Sequence, residues 1–527
     1  MPKLDYLINN TAVFDGDRVE PQQVSVGIRA DRIAYVGPSV SGWAAHETID
    51  AAGKYLCPGF IDTHASTGLG YLSPNSGHHK VAQGVTTEII GNCGTSTAPV
   101  GDLLVPTMEQ LTQSMGTPFS WRSLGEWFSQ ITAFGLPFNI GSYVGHGTLR
   151  AGVCRDPVSV TSDDLDRMAF LLDCAMREGA LGMSTGLVYA PGSFANTQEL
   201  IDLARVAKNR GGLYASHIRD ERQDLEDAIE EAIEIGRQAG IPVLVSHLKA
   251  AEKPNWGKIP RVIRHIENAR AEGISVSFEV YPYTAVSTKL RSYLPKDILQ
   301  DGLAGMVERL KTESWSNRSI NWLEKRGTDF DNMVVISDRI PAARGRSIGR
   351  VARGNGRHPA QVAIDILILD PDAWMVYDCI SEEDMDLAVL WPESIICSDS
   401  WSYPVNAPVQ IGNPHPRTYG AFTRFLERYV LGRQEISFGQ AVKKVSTYAA
   451  DWLGFTDRGR IREGFAADIV ILDPENVHEK ATYEEPRQYS EGTEYVWVNG
   501  KMVINCSLQT DELPGTVLTR QDRSIPC

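Results

Sequence analysis

The 527-residue chain has no apolar run long enough to span a membrane. Its first ten residues carry neither a basic leader nor a long apolar segment, so no secretory signal is expected there and a cytoplasmic location is. Cysteine is sparse: 8 residues, scattered without close pairs, are not a disulfide framework. They read as buried thiols in a reducing compartment, with one or two available for chemistry. Positive charge is in deficit, with 51 Lys and Arg against 66 Asp and Glu, and the formal net charge is -15. That balance argues against nucleic acid or an anionic membrane as a partner. Short repeats and low-complexity tracts are lacking too, which excludes a solenoid or a disordered tail as the main architecture. Nothing in the composition fixes an oligomeric state.

What the chain does contain is one pattern repeated. C-P-G-F-I-D-T-H-A-S, residues 57–66, reads as a short buried strand that ends in polar residues at Asp62 and His64. Seven later apolar runs follow suit. They end near Cys93, at His146, in G-A-L-G-M-S-T, at His217, at His247, at Tyr281 and at Asp399. Helical patterns separate them, such as residues 162–178 after the cap-like S-D-D. Eight strands alternating with helices predict an α/β fold, a (β/α)8 TIM-like barrel. Residues 4–8, 24–28 and 32–36 are β-rich, and so are A-D-I-V-I-L-D-P and the hairpin-like Y-V-W-V-N-G-K-M-V-I near the other end. The predicted organisation is therefore a β-sandwich of residues 1–56 plus 459–527 around a barrel of residues 57–458. The stretch at about 284–390 is too long for a simple turn. It reads as an inserted helical lid subdomain, with residues 359–369 its clearest helix.

The side chains that end these strands carry the chemistry. Cys93, His217, His247, Asp399 and His64 would all face one cavity at the carboxyl ends of a closed barrel. Thiolate, imidazole and carboxylate together suit Zn2+, with an open position for an activated water and Asp399 to accept its proton. Each signal taken alone has a plainer meaning: a core thiol, a hydrogen-bonded turn in S-H-I-R-D-E, a helix cap in S-D-S. His78 and His79 sit in the helix-like stretch after the first strand and read as surface or packing residues. Lys249, two residues beyond His247, either faces the cavity or lies on its rim. Arg219, Tyr283, Arg291 and Arg417 are further candidates for anion binding, and His146 is either a turn residue or a wall of the pocket.

P-G-F-I-D-T-H, G-V-T-T-E-I-I-G-N-C-G, V-G-H-G-T-L-R, S-H-I-R-D-E, V-S-H-L-K, Y-P-Y-T-A, I-C-S-D-S, N-P-H-P-R-T-Y-G and G-R-I-R-E-G-F-A-A-D-I-V occur in this order along the chain. This series resembles the N-acyl-D-amino-acid deacylases (D-aminoacylases) of the amidohydrolase superfamily. The resemblance implies a distorted β/α barrel with a small β-sandwich, a tightly held zinc on Cys93, His217 and His247, and Asp399 as the catalytic carboxylate. It also implies Lys249, Tyr281 and Ser287 as contacts for a substrate carboxylate. One departure stands out. The first strand of that family ends His-x-His, and here the second position is Ser66, a poor zinc ligand. The expectation is zinc-dependent hydrolysis of an N-acyl-D-amino acid, with one tight metal site per chain. The alternative is an amidohydrolase for a cyclic amide or specialised metabolite, working with an altered metal site.

Overall fold

The computed structural model describes residues 3–519 apart from 39–43, 67, 74–75, 338, 344, 402–403 and 406–412. Eight parallel strands form its centre. They are β1 (Phe60–Asp62), β2 (Val85–Ile90), β3 (Asn139–Ser142, resumed at Val144–Gly145), β4 (Gly182–Gly186), β5 (Leu213–His217), β6 (Val243–Val245), β7 (Val276–Val280) and β8 (Ile395–Ile396). Each is parallel to the next, from Phe60 opposite Val85 to Glu279 opposite Ile395. The ring closes where Ala65 bridges Ser400 in parallel and the Ser66 N–H donates to the Ser400 carbonyl at 3.0 Å. The expected barrel is present, built from the eight runs expected.

These strands are buried on both faces, as all six residues of β2 illustrate. Side chains fill the interior and the crossover helices cover the outside, so the strands read as apolar runs rather than alternating ones. The helix Leu225–Ala239 shows the covering logic: Leu225, Ala228, Ile229, Ala232, Ile233 and Gly236 make one buried stripe at helical spacing. It stops at Gly240, whose positive φ of 65° ends the helix. The helix expected from Ser162 runs Ser162–Arg177, but its cap is Thr161 rather than S-D-D. The Thr161 hydroxyl accepts from the Asp164 N–H, and Asp164 accepts from the Thr161 N–H at 3.1 Å. The cap must lie in extended backbone one residue before the helix, which moves it to Thr161.

Strands from both ends of the chain share a nine-stranded sheet. Ile469–Leu472 pairs antiparallel with Tyr55–Pro58, which in turn runs parallel to the long strand Leu4–Val13. Leu4–Val13 also pairs with Gln22–Arg29 on one side and Ala45–Asp50 on the other, so the two layers of the sandwich are one branched sheet. Ile8, Val26, Ile28, Leu56, Ile469 and Trp497 form its own buried core. The N-G turn is as read, with positive φ at Asn499 and Gly500.

The insertion after β7 is not wholly helical, which corrects the sequence-based expectation. Its helices include Pro359–Leu369, as read, but they back a three-stranded antiparallel sheet. Ala285–Lys289 pairs with Trp374–Asp378, and that strand pairs with Met333–Ile336. The three segments are far apart in the sequence, and only their pairing makes short, weakly patterned runs into strands.

Candidate active site

β2 ends in the turn Gly91-Asn92-Cys93-Gly94, and this turn aims the cysteine inward. A Cβ on Gly91 (φ 78°) would lie 2.2 Å from the Tyr143 carbonyl oxygen, and one on Gly94 (φ 71°) would lie 2.6 Å from the Gly186 nitrogen. Only glycine fits at either position. Asn92 braces the turn by donating to the carbonyls of Thr63 and Ile89 at 3.2 and 2.9 Å. Cys93 itself has φ 53°, and His247 and Asp399 have φ 38° and 47°. Three side chains from three strand ends thus share a left-handed backbone that non-glycine residues seldom adopt. Such local strain collects where geometry serves a site.

The Cys93 sulfur is ringed by imidazoles. Its Sγ lies 3.2 Å from His64 Nε2, 3.3 Å from His247 Nε2 and 3.5 Å from His217 Nδ1. Asp399 Oδ1 lies 3.6 Å from His64 Nε2. With Zn–S and Zn–N bonds of about 2.3 and 2.0 Å, tetrahedral ligands of one zinc stand about 3.5 Å apart, so these separations fit a shared metal. Burial opposes ionisation of the Cys93 thiol, but His64, His247 and His217 outweigh it and hold the thiol well below its usual value. The result is a thiolate-based pocket suited to a soft divalent cation.

Two carboxylates orient the imidazoles. Glu279, on β7 and fully buried, accepts from His64 Nδ1 and from the Thr63 hydroxyl. Glu221 stands 3.2 Å from His247 Nδ1 and 3.7 Å from His217 Nε2. Donation from His64 Nδ1 to Glu279 leaves its Nε2 lone pair facing the sulfur, the arrangement that metal-binding histidines use, and His247 likewise turns its Nε2 to the sulfur. Burial pushes the Glu221 carboxyl up, but Lys249 and then His217 and His247 outweigh it and hold it well below the usual range.

Arg417 fixes Asp399. Its Nη2 lies 2.8 Å from Asp399 Oδ2, and its guanidinium stacks 4.5 Å from the centre of the Tyr281 ring. Burial raises the Asp399 carboxyl, but Arg417 first, and then His247, His64 and Lys249, bring it down to about 2. One carboxylate oxygen is therefore engaged and the other faces the cluster, ionised throughout the neutral range.

Lys249, Tyr281 and Ser287 line the same cavity, whose volume is about 340 Å³. The Lys249 ammonium is not a free charge: it donates to Glu221 at 2.6 Å and sits 2.8 Å from His247 Nδ1. The Tyr281 hydroxyl is buried with no hydrogen-bond partner among the described residues. The insertion supplies one wall through Ser287, Lys289, Arg291 and Trp374. Asp372 takes up the charge of both Lys289 and Arg291. The other candidates fall elsewhere. Arg219 pairs with Glu231 at 2.7 Å, and Tyr283 donates to Glu479. His146 opens a helix and bonds Glu199 at 2.8 Å, so it is a structural residue. His79 packs against Tyr419, and neither it nor His78 joins the cluster.

Sequence reading missed Glu279 and Glu221 and left Arg417 unranked. Glu279 carried a signal, a charge inside the apolar run F-E-V-Y, and Glu221 closes S-H-I-R-D-E four residues after His217.

The chain resembles known proteins along nearly its whole length. The amidohydrolase family profile matches residues 47–261 and 317–504. The chain is 33% identical to an N-acyl-D-glutamate deacylase of Alcaligenes xylosoxydans xylosoxydans, over 99% of this chain and 98% of that protein. It is 32% identical to a D-aminoacylase of the same organism, over 98% of each. A crystal structure of N-acyl-D-glutamate deacylase from Bordetella bronchiseptica, complexed with zinc and a phosphonate inhibitor, superposes with TM-score 0.81 and 31% identity over 98% of this chain and 100% of that one. A D-hydantoinase, at 15% identity and TM-score 0.57, shares the fold alone. With a matching profile over most of its length and relatives aligned from end to end, the chain belongs to the amidohydrolase family.

Proposed function

We propose that this protein is a zinc-dependent deacylase that hydrolyses the amide bond of N-acyl-D-amino acids, releasing a carboxylic acid and an amine. The observation that carries the reading is the Cys93 sulfur held among three imidazole nitrogens at 3.2–3.5 Å, with Asp399 beside them. Full-length likeness to an N-acyl-D-glutamate deacylase, a D-aminoacylase and an N-acyl-D-aspartate deacylase supports the substrate class. Cys93, His217 and His247 would hold the metal, and His64 would stand as a further ligand or as a donor to water. One tight site per chain is the expected content, because Ser66 offers no second imidazole on that strand. Bound there, zinc would supply a polarised carbonyl and an acidified water.

The chain's own groups do the rest. Asp399 stays ionised, so its Oδ1 can accept a proton from the attacking water and return it to the departing nitrogen. Arg417 keeps Oδ2 occupied and so fixes which oxygen does this. Tyr281 offers a buried, unengaged hydroxyl to the substrate, and Lys249 and Ser287 lie beside it as carboxylate contacts. Glu221 and Glu279 hold the imidazoles in place without touching substrate. In this reading residues 57–458 are the catalytic barrel, with the insertion at about 284–390 as its lid, and residues 1–56 plus 459–527 the β-sandwich. The described cysteines are all unpaired thiols, which supports a reducing, cytoplasmic location. The test is amine release from a panel of N-acetyl-D- and L-amino acids by the zinc-loaded protein. Release from D-substrates that chelation stops is expected. No release from any D-substrate would refute the proposal.

A further inference from the structure

Beside the catalytic cavity lies a second, larger one of about 730 Å³. Both are open to Ser66, Cys93, Thr95 and Tyr189, so the two spaces meet at the Cys93 cluster. Their linings contrast. The first carries Glu221, Arg222, Lys249, Lys289, Arg291 and Arg417. Apart from the shared Cys93, the second has no charged side chain among its described lining residues: Ser and Thr are interspersed with Leu69, Val100, Leu104, Met108, Leu111 and Met115, which make its apolar wall. Leu111, on the helix Val105–Ser114, lines this space and is 44% exposed although apolar. An apolar hollow of this size beside a polar site is a ligand-binding feature rather than a packing defect.

We infer that this hollow binds an extended aliphatic acyl chain, so that the preferred substrates are long-chain N-acyl amino acids. The assignment of the occupant rests on the deacylase reading. The scissile amide must sit at the Cys93 cluster, which divides the substrate into two halves. The amino-acid half carries a carboxylate, and its side chain leaves from the same α-carbon, so both belong on the side lined by Lys, Arg and Tyr. Only the acyl half remains for the uncharged side. A charged acyl group would find no counter-charge among the described residues of the far wall, whereas methylenes gain by leaving water against Leu104, Met108, Leu111 and Met115. Ser66 stands where the two spaces join, and its short side chain leaves the passage open.

The test is a series of N-acyl-D-amino acids with one amino acid and acyl chains from acetyl to decanoyl. Each buried methylene is worth about 4-fold in kcat/KM, so a rise of at least about 100-fold from acetyl to octanoyl is expected before it levels off. Ala151→Phe fills the hollow from the helix His146–Val153 and is expected to remove that rise while acetyl turnover stays within about 3-fold. Leu111→Gln does the same at an exposed position, where core packing is not at stake. Octanamide, the neutral acyl half, is titrated in parallel by calorimetry, and binding at least about 10-fold weaker in both variants is expected. A flat or falling chain-length profile overturns the inference and leaves the deacylase standing. Octanamide binding that both variants weaken, in a protein that cleaves no N-acyl-D-amino acid, upholds the apolar site and overturns the deacylase. Octanamide that does not bind overturns the inference whatever the turnover.

Discussion

Asp399 is engaged by Arg417 at one oxygen and faces the cluster with the other. Asn in its place keeps the shape but cannot take up a proton near neutral pH. Asp399→Asn is therefore expected to keep its zinc and melting temperature and to lose about 10²–10⁴-fold in kcat. Zinc content, melting temperature and kcat on one preparation decide this. Metal and stability retained with kcat almost unmoved would exclude Asp399 as the base. Cys93 differs from the other thiols in a related way. Burial alone acts on Cys57 and raises its thiol out of the reactive range, whereas three imidazoles lower that of Cys93. Cys93→Ala is expected to lose both metal and turnover, while Cys57→Ala and Cys506→Ala keep both, as elemental analysis would register.

At the scale of elements, the barrel closes through a buried charge cluster. Lys80 is completely buried and donates to Asp62 at 2.6 Å on β1 and to Ser398 at 2.9 Å beyond β8. Glu88, on β2, stands 3.5 Å from the same ammonium. The Ser398 N–H also donates to Asp62, at 3.0 Å, so this cluster carries the loop that presents Asp399. One lysine serves two carboxylates, and burial pushes Glu88 up to about 7, with Lys80 opposing. The sign follows from linkage. The folded state holds the Glu88 proton more tightly than the unfolded chain, so its stabilising contribution is full below about 4.5 and is lost as pH rises through about 7. Glu88→Gln removes this titration. The variant is expected to gain stability relative to the parent between pH 5 and pH 8, as denaturant melts at the two values would measure. A constant difference across that range would refute the assignment. Nothing in the sequence flags Asp62, Lys80 and Ser398 as partners, because they meet only when β1 and β8 lie side by side.

For the molecule as a whole, the cluster ties together β2, β5, β6 and β8, with His64 following β1, so a metal bound there would report on the closed ring. A ligand that binds only the folded state stabilises it in proportion to its saturation, about 4 kcal/mol at a thousand times its dissociation constant. Chelated protein is expected to melt lower than zinc-loaded protein, with the loss reversed on reloading zinc but not magnesium. Calorimetry is the measurement, and an unchanged melting temperature would argue that Cys93, His217 and His247 share no metal. The described residues contain no helix long and apolar enough to cross a membrane.

The sequence alone determined the barrel and its strand ends, because strands buried on both faces read as short, largely apolar runs, and Gly-rich or polar turns punctuate them. Cys93, His217, His247 and Asp399 could be read for that reason, and so could the N-G hairpin at Asn499. Pairing across the fold was not legible. That Lys249 meets Glu221, that Arg417 takes one oxygen of Asp399, and that Glu279 turns His64 toward the sulfur are facts about residues 28, 18 and 215 positions apart, beyond the reach of a local pattern. A local pattern records what one segment buries. Which charges meet, and where an uncharged hollow opens beside them, depends on segments converging in space, and only the tertiary structure decided that.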